Sequence, residues 1–430
     1  MGQQELILYR DFTEGKLLSD MVYLMERLRD LDWCMEEKRA LAYKNLHGLL
    51  EMAGEYGFSG NLWHCYLTNL LVNKENSYSK ACEIRGFLEG TLNDAVLHDI
   101  GIFKELFDYD FLELMEVLDV RVMELAFQYT ASSQESKVYN SRIRDRIMTL
   151  TARFEEADSK EAMKDALTEF YKEYGVGKFG LHKAFRIQRL EKEVEIVPIL
   201  NIAHVKLEDL VGYEIAKQKL IDNTEAFVYG RKANNCLLFG DAGTGKSSCI
   251  KAIANRYYED GLRIIEVYKH QFQDLNDVIS QIKNRNYKFI IYMDDLSFEE
   301  FEIEYKYLKV IIEGGLEKKP NNILIYATSN RRHLIRENFS DKEGRRDMLH
   351  ASDTVQEKLS LVSRFGVTIF FSSPDKKEFE TIVKVLAQRN DIKMKEEDLL
   401  LEANKWELAH GGLSGRTAQQ FIDYLLGGYK

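Results

Sequence analysis

Apolar residues in the first 175 positions recur every three or four residues, the spacing of helices with one face turned inward. This pattern predicts helices over 17–53, 61–72, 78–98, 101–129, 137–155 and 160–174, with Leu112, Val117, Val120 and Leu125 as part of the inward stripe. No proline occurs before Pro198, so nothing in the first 197 residues breaks a helix in the way proline does. Residues 1–175 are therefore expected to form an all-helical domain, a possible docking module for a partner. Its aromatic residues Phe103, Phe107, Tyr109 and Phe111 read as core packing, as does His64 beside Cys65.

Residues 176–204 read as a linker, with Gly177 and Gly180 early and Pro198 late. Within it, Lys183, Arg186 and Arg189 read as a solvated helix face. From Val205 the period changes. A helix over about 213–229 precedes the apolar run Asn235–Phe239. Further runs at Arg263–Val267, Phe289–Met293, Ile323–Ala327 and Val367–Phe371 are separated by helical stretches near 273–285 and 299–315. Strands alternating with helices predict a parallel sheet covered on both faces over residues 205–372. After Ser373-Pro374, read as a helix start with proline at the first position, the pattern is helical to the end. Residues 373–430 are expected to be a small helical lid.

A chain of 430 residues with 45% hydrophobic content fits two or three folded domains. No apolar run approaches the ~20 residues of a membrane span, and the start Met1-Gly2-Gln3-Gln4-Glu5 lacks a basic signal region. Five cysteines without pairing or metal spacing suit reduced thiols. A cytoplasmic protein is expected. The net charge of −11 is uneven: residues 1–200 hold 25 Lys+Arg against 35 Asp+Glu, and residues 201–430 hold 34 against 35. The acidic first half is a poor platform for a polyanion.

The clearest chemistry is Gly240-Asp241-Ala242-Gly243-Thr244-Gly245-Lys246-Ser247, which fits G-x-x-x-x-G-K-[ST]. Its glycines let successive N–H groups turn toward phosphate oxygens, Lys246 adds charge at the outer phosphates, and Ser247 offers a hydroxyl to magnesium. A strand precedes the loop and a helix opening at Ser248 follows, so the helix N-terminus adds to the anion site. Nucleotide binding is the reading.

Downstream, the run Phe289–Met293 ends in Asp294-Asp295, 48 residues after Lys246. Asp294 is the candidate magnesium residue, and Asp295 the candidate for orienting or deprotonating an attacking water. Ala327-Thr328-Ser329-Asn330 ends the next strand at the same carboxyl edge, where Asn330 is placed for that water or the γ-phosphate. Two further residues, Arg364 before the last strand and Arg416 opening the final helix, are candidates for neutralising charge at the γ-phosphate. No guanine-reading Asn-Lys-x-Asp follows the loop, which points to ATP.

This order of loop, acidic pair, polar strand end, arginine and helical lid resembles the AAA+ ATPases. Closer still, Val205–Gly212, Asn223-Thr224-Glu225-Ala226-Phe227, Asp294–Glu299 and Ala327–Leu334 resemble the bacterial AAA+ proteins of domain-of-unknown-function family 815. The resemblance covers residues 200–430. It implies that Asn330, Arg364 and Arg416 are the sensor-one residue, the arginine finger and the sensor-two arginine. It also implies that Leu210-Val211-Gly212 lines the adenine pocket, and that Arg364 faces a neighbouring subunit in a ring or partial ring. One position departs from the pattern: Asp295 stands where the family usually has glutamate, one methylene longer.

Two functions follow as alternatives. One is an ATPase that uses ATP and magnesium to assemble and remodel a partner. The other is a slow or non-hydrolysing ATP-gated switch or adaptor, with DNA as its candidate associate. The nucleic-acid candidate is Arg331, Arg332, Arg336, Arg345 and Arg346, interleaved with Glu337, Asp341, Glu343 and Asp347. Its near-balanced charge makes a protein client the expected partner.

Overall fold

The computed structural model describes residues 2–131, 136–190, 193–200, 202–298, 304–313, 320–330 and 361–428. The chain divides into two units, Met1–His182 and Lys183–Lys430.

The described part of the first unit is helical: α1 (Lys16–Glu26), α2 (Met35–Tyr56), α3 (Leu62–Asn73), α4 (Ser77–Arg85), α5 (Thr91–Phe107), α6 (Phe111–Leu118), α7 (Ser141–Glu156), α8 (Lys160–Tyr174) and the short α9 (Gly177–Leu181). Three of the stretches expected as helix, 17–53, 78–98 and 101–129, are divided. Gly86 and Gly90, at φ +76° and +96°, separate α4 from α5, and Asn76 with Ser79 forms a reciprocal cap at the start of α4. Phe103, Phe107 and Phe111 are buried as expected, and Trp63 is fully buried with its indole N–H on the Leu106 carbonyl. Of the expected stripe Leu112, Val117, Val120 and Leu125, Val120 is buried but the other three are exposed, and α6 instead buries Phe111, Leu114, Met115 and Leu118. Buried Asp99 receives the backbone N–H groups of Ile7, Leu8 and Tyr9, which ties the N-terminal segment to α5.

The stretch expected as a linker is ordered structure. Its first part is α9 in the first unit. Its second part is the hairpin β1 (Ala184–Leu190) and β2 (Glu193–Pro198), which joins the sheet of the second unit. Arg186 and Arg189 are exposed on a strand and not on a helix. Arg189 lies 3.4 Å from the Asp274 carboxylate.

The remaining elements are α10 (Glu214–Val228), β3 (Cys236–Gly240), α11 (Lys246–Tyr257), β4 (Leu262–Glu266), α12 (Leu275–Ile282), β5 (Lys288–Met293), α13 (Glu304–Glu313), β6 (Ile323–Ser329) and β7 (Val367–Phe371). The lid helices α14 (Lys376–Arg389), α15 (Glu396–Ala409) and α16 (Gly415–Leu426) complete the chain. The sheet order is β2-β1-β4-β5-β6-β3-β7, parallel throughout except for the antiparallel hairpin. The loop strand β3 therefore lies between β6 and β7. Residues of one strand face, among them Leu238, Ile290 and Leu324, pack with Leu220, Ile250 and Ile253 of α10 and α11. The alternate positions Leu237, Ile291 and Ile325 are also buried, as expected when helices cover both faces.

Asn223 and Thr224 of α10 both reach the buried Tyr326 hydroxyl, at 2.9 and 3.1 Å, and this polar network fixes α10 on the sheet. The start of α14 is capped by Asp375 with Glu378, so Pro374 lies just outside the helix and not at its first position. Among the described residues no helix is long and apolar enough to cross a membrane.

Candidate functional site

The glycine loop leaves β3 through Gly240, which has φ +135°; a Cβ there would stand 2.0 Å from the Phe371 carbonyl oxygen of β7. Only glycine fits that approach. Gly240→Ala is expected to destabilise the protein by about 3 kcal/mol or more, read as a lowered denaturant midpoint; a parent-like midpoint would refute this contact. Gly243 and Gly245, at φ +76° and +89°, curl the loop into α11. Lys246 is buried, with its ammonium on the carbonyls of Gly240 and Asp241 at 2.9 and 2.6 Å. Burial pulls its pKa below the ordinary lysine value, while nearby Asp241, Asp295 and Asp294 oppose the shift. The Asp241 carboxyl is held below its usual value by the Ser373 N–H it accepts at 2.8 Å.

Beside the loop stand the two carboxylates that end β5. Asp294 Oδ1 accepts three hydroxyls: Ser247 at 2.7 Å, Tyr292 at 2.7 Å and Thr328 at 2.6 Å. Desolvation would raise this carboxyl, but the hydrogen bonds from Thr328, Tyr292 and Ser247 outweigh it and hold its pKa below the usual carboxylate value. Asp295 has φ +49°, a left-handed conformation that aspartate tolerates better than most residues. Its N–H donates to Thr328 Oγ1 at 3.0 Å, and its Oδ1 accepts the Asn330 amide at 2.8 Å.

The lid closes the arrangement. At the start of α16 the Arg416 N–H donates to the Gly243 carbonyl at 3.2 Å, and Ser414 caps the helix through the Thr417 N–H. Arg389 of α14 donates to the carbonyls of Glu208 and Asp209, at 2.7 and 2.8 Å. Between loop and lid lies a cavity of about 720 Å³. Ala242, Gly243, Thr244, Gly245, Lys246, Ser247 and Ser248 line it, with Val211, Asp294, Asp295, Asn330 and Arg416. Gly240 and Asp241 are not lining residues; they form the loop's base. Gly212, expected on the adenine wall, lines a neighbouring recess of about 360 Å³ instead. Arg364 is also outside the cavity lining. Its N–H bonds to the Leu361 carbonyl in the turn before β7. Because Val367 pairs with Cys236, the first residue of β3, Arg364 sits at the amino edge of the sheet. At about 3.3 Å per residue the length of β3 separates it from the loop by roughly 16 Å. The arginine-rich segment 331–346 lies outside the described residues.

The residues fit a nucleotide with magnesium. The cavity volume is in the ligand range of roughly 300–1,000 Å³, and its far wall, with Leu210, Val211, Ile382 and Leu386, is apolar. The buried Tyr213 hydroxyl also lines it and has no hydrogen-bond partner among the described residues. Ser247 and Asp294 supply hard oxygens, the donors that magnesium prefers.

Sequence reasoning did not assign Tyr292, Tyr213, Lys217 or the lid residues Ile382 and Leu386. For Tyr292 a signal was present: it shares a strand face with Asp294 by the two-residue period and carries the hydroxyl in an otherwise apolar run. The others reach the cavity through contacts distant in sequence.

The core strand order, the loop after β3, the paired carboxylates after β5 and the helical lid define a P-loop protein with the AAA+ ATPase fold. More particularly, the family model described as "Protein of unknown function (DUF815)" matches residues 180–429, and the chain belongs to that family. Among curated proteins, the replication factor C large subunit of Staphylothermus marinus is 35% identical over 81 residues, 19% of this chain and 18% of that protein. The replication factor C large subunit of Methanococcus vannielii is 38% identical over 76 residues, 18% of this chain and 15% of that protein. The chain thus spans less than a fifth of these relatives. Among solved structures, a mutant RuvB has 17% identity and a TM-score of 0.38, covering 53% of this chain and 66% of that one. RuvB of Thermotoga maritima, titled a Holliday junction branch migration motor, has 15% identity and a TM-score of 0.33, covering 52% of this chain and 73% of that one.

Proposed function

We propose that residues 183–430 bind ATP with magnesium and couple its hydrolysis to assembly of further copies and remodelling of a partner. The observation that carries this reading is the convergence on one cavity of the glycine loop, Asp294, Asp295, Asn330 and Arg416, with the lid bonded to the loop itself. Magnesium supplies charge neutralisation at the phosphates; Ser247 and Asp294 are the residues to hold it. Lys246 and the loop N–H groups bind phosphate, Asp295 takes the proton of the attacking water, and Asn330 positions Asp295. Steady-state hydrolysis measured beside equilibrium ATP binding tests the reading. Binding without turnover, in every oligomeric state, would reject the hydrolysis part of it.

A second reading, a slow ATP-gated switch, is favoured by Asp295. Its side chain is shorter than the family's usual glutamate, and its Oδ1 is already engaged by Asn330.

For the partner, the preference for a protein client has no support from the relatives, whose names concern replication and Holliday-junction branch migration. DNA binding is therefore the partner to test first. If it occurs through the segment that includes Arg331, Arg332, Arg345 and Arg346, replacing all four should abolish it. Parent affinity should fall about a thousandfold or more between 50 and 200 mM salt if six or more phosphates are neutralised. Filter binding or anisotropy with duplex and branched DNA checks this. No binding at low salt, or binding unchanged in the quadruple variant, excludes that segment as the interface.

A further inference from the structure

Tyr292, the penultimate residue of the buried strand β5, carries a hydroxyl that nothing in the mechanism above uses. Its geometry gives it a task. All three side-chain hydroxyls that meet Asp294 arrive on one oxygen, Oδ1, from three separate elements: Ser247 from α11, Tyr292 from β5 and Thr328 from β6. A carboxylate oxygen offers about two lone pairs. Two of the donors are fixed. Tyr292 is 3% exposed, its ring held in the core formed with α10 and α11, and Thr328 is 2% exposed and also receives the Asp295 N–H. Tyr292 and Thr328 alone therefore saturate Oδ1. Ser247 is the surplus donor, and it sits at the first turn of α11 facing the cavity.

We propose that Tyr292 is a positioning residue for the magnesium site: by filling the second acceptor position of Asp294 Oδ1, it releases the Ser247 hydroxyl to ligate the cation and leaves Oδ2 as the carboxylate oxygen presented to it. This rests on the nucleotide–magnesium reading of the cavity. Without the Tyr292 hydroxyl, Ser247 becomes the second donor to Oδ1, and a cation must compete with Asp294 for it. The carboxylate also loses one of the two bonds that fix its rotation. Tyr292 thus acts through Asp294 and Ser247, and touches neither nucleotide nor cation.

The test measures metal and nucleotide affinities separately. Mn²⁺ is titrated against full-length protein saturated with a non-hydrolysable ATP analogue, and free Mn²⁺ is read by electron paramagnetic resonance. Affinity for the analogue without metal is measured in parallel. Tyr292→Phe, which keeps the ring, should weaken Mn²⁺ binding about tenfold, the scale of one hydrogen bond to a charged group, and leave metal-free affinity within twofold. Thr328→Val, which removes the other fixed donor, should weaken Mn²⁺ comparably and provides an independent second variant. The bound-Mn²⁺ spectrum should broaden in both. Should Tyr292→Phe bind Mn²⁺ like the parent while Asp294→Asn does not, Tyr292 is core packing and the inference falls. Equal losses of metal-bound and metal-free affinity would likewise mark a structural role. Parent protein that binds the analogue with no dependence on metal would overturn the nucleotide–magnesium reading itself, an outcome distinct from a failure of Tyr292 alone.

Discussion

Mixing Arg364→Ala with Lys246→Ala is expected to restore ATPase activity that neither variant has alone. Arg364 lies at the amino edge of β7, and the phosphate loop follows the carboxyl end of β3. The cavity of the same chain is therefore a sheet height away, and Arg364 is not among its lining residues. We propose that an arginine so placed serves a neighbour's nucleotide, where it neutralises developing charge, worth roughly 10³–10⁵ in rate. On the same proposal it couples assembly to nucleotide state, because a γ-phosphate at the interface attracts the guanidinium more strongly than ADP does. Arg364→Ala should bind ATP like the parent, hydrolyse it at least about a thousandfold more slowly, and fail to assemble on ATP. In a mixed assembly, one interface joins an intact loop from the first variant to an intact arginine from the second, so activity returns. Variants that co-assemble by sedimentation but stay inactive would place Arg364 in a structural role and remove the ring from the account.

The second large effect separates binding from turnover. Lys246→Ala should lose nucleotide binding by at least about a hundredfold, since it removes a buried cation from the phosphates. Asp295→Asn should bind ATP like the parent and lose turnover by about 10²–10⁴. The substitution is nearly isosteric and its amide oxygen still accepts from Asn330 Nδ2, so the surrounding geometry is kept. Calorimetric binding beside phosphate release distinguishes the outcomes. If Asp295→Asn turns over ATP as the parent does, Asp295 is not the base.

Much of this organisation was legible in the chain. The glycine loop declares itself because its conformation is local: consecutive glycines, a lysine and a hydroxyl act within one turn of backbone. The five strands β3 to β7 showed as apolar runs because a covered parallel sheet buries both faces of its inner strands, and Asp294, Asp295 and Asn330 followed as the polar residues ending two of those runs. Helices of the first unit were found, but the division at Gly86–Gly90 and the exposure of Leu112, Val117 and Leu125 were not. Periodicity marks that a face is apolar; only packing decides which apolar residues it covers.

The sequence by itself determined the class of fold, the loop, the acidic pair and the presence of a lid, since each depends on residues close together in the chain. Tertiary structure alone decided the rest. It turned the supposed linker into α9 and a hairpin on the sheet edge, because strand pairing through β1 and β4 joins residues about 80 apart. It placed Tyr292, Thr328 and Ser247 on a single oxygen of Asp294, and Arg416 on the loop through Gly243. It also set Arg364 apart from the cavity. Hydrogen bonds between such distant positions leave no spacing in the sequence, since their geometry arises only when separate elements are packed together.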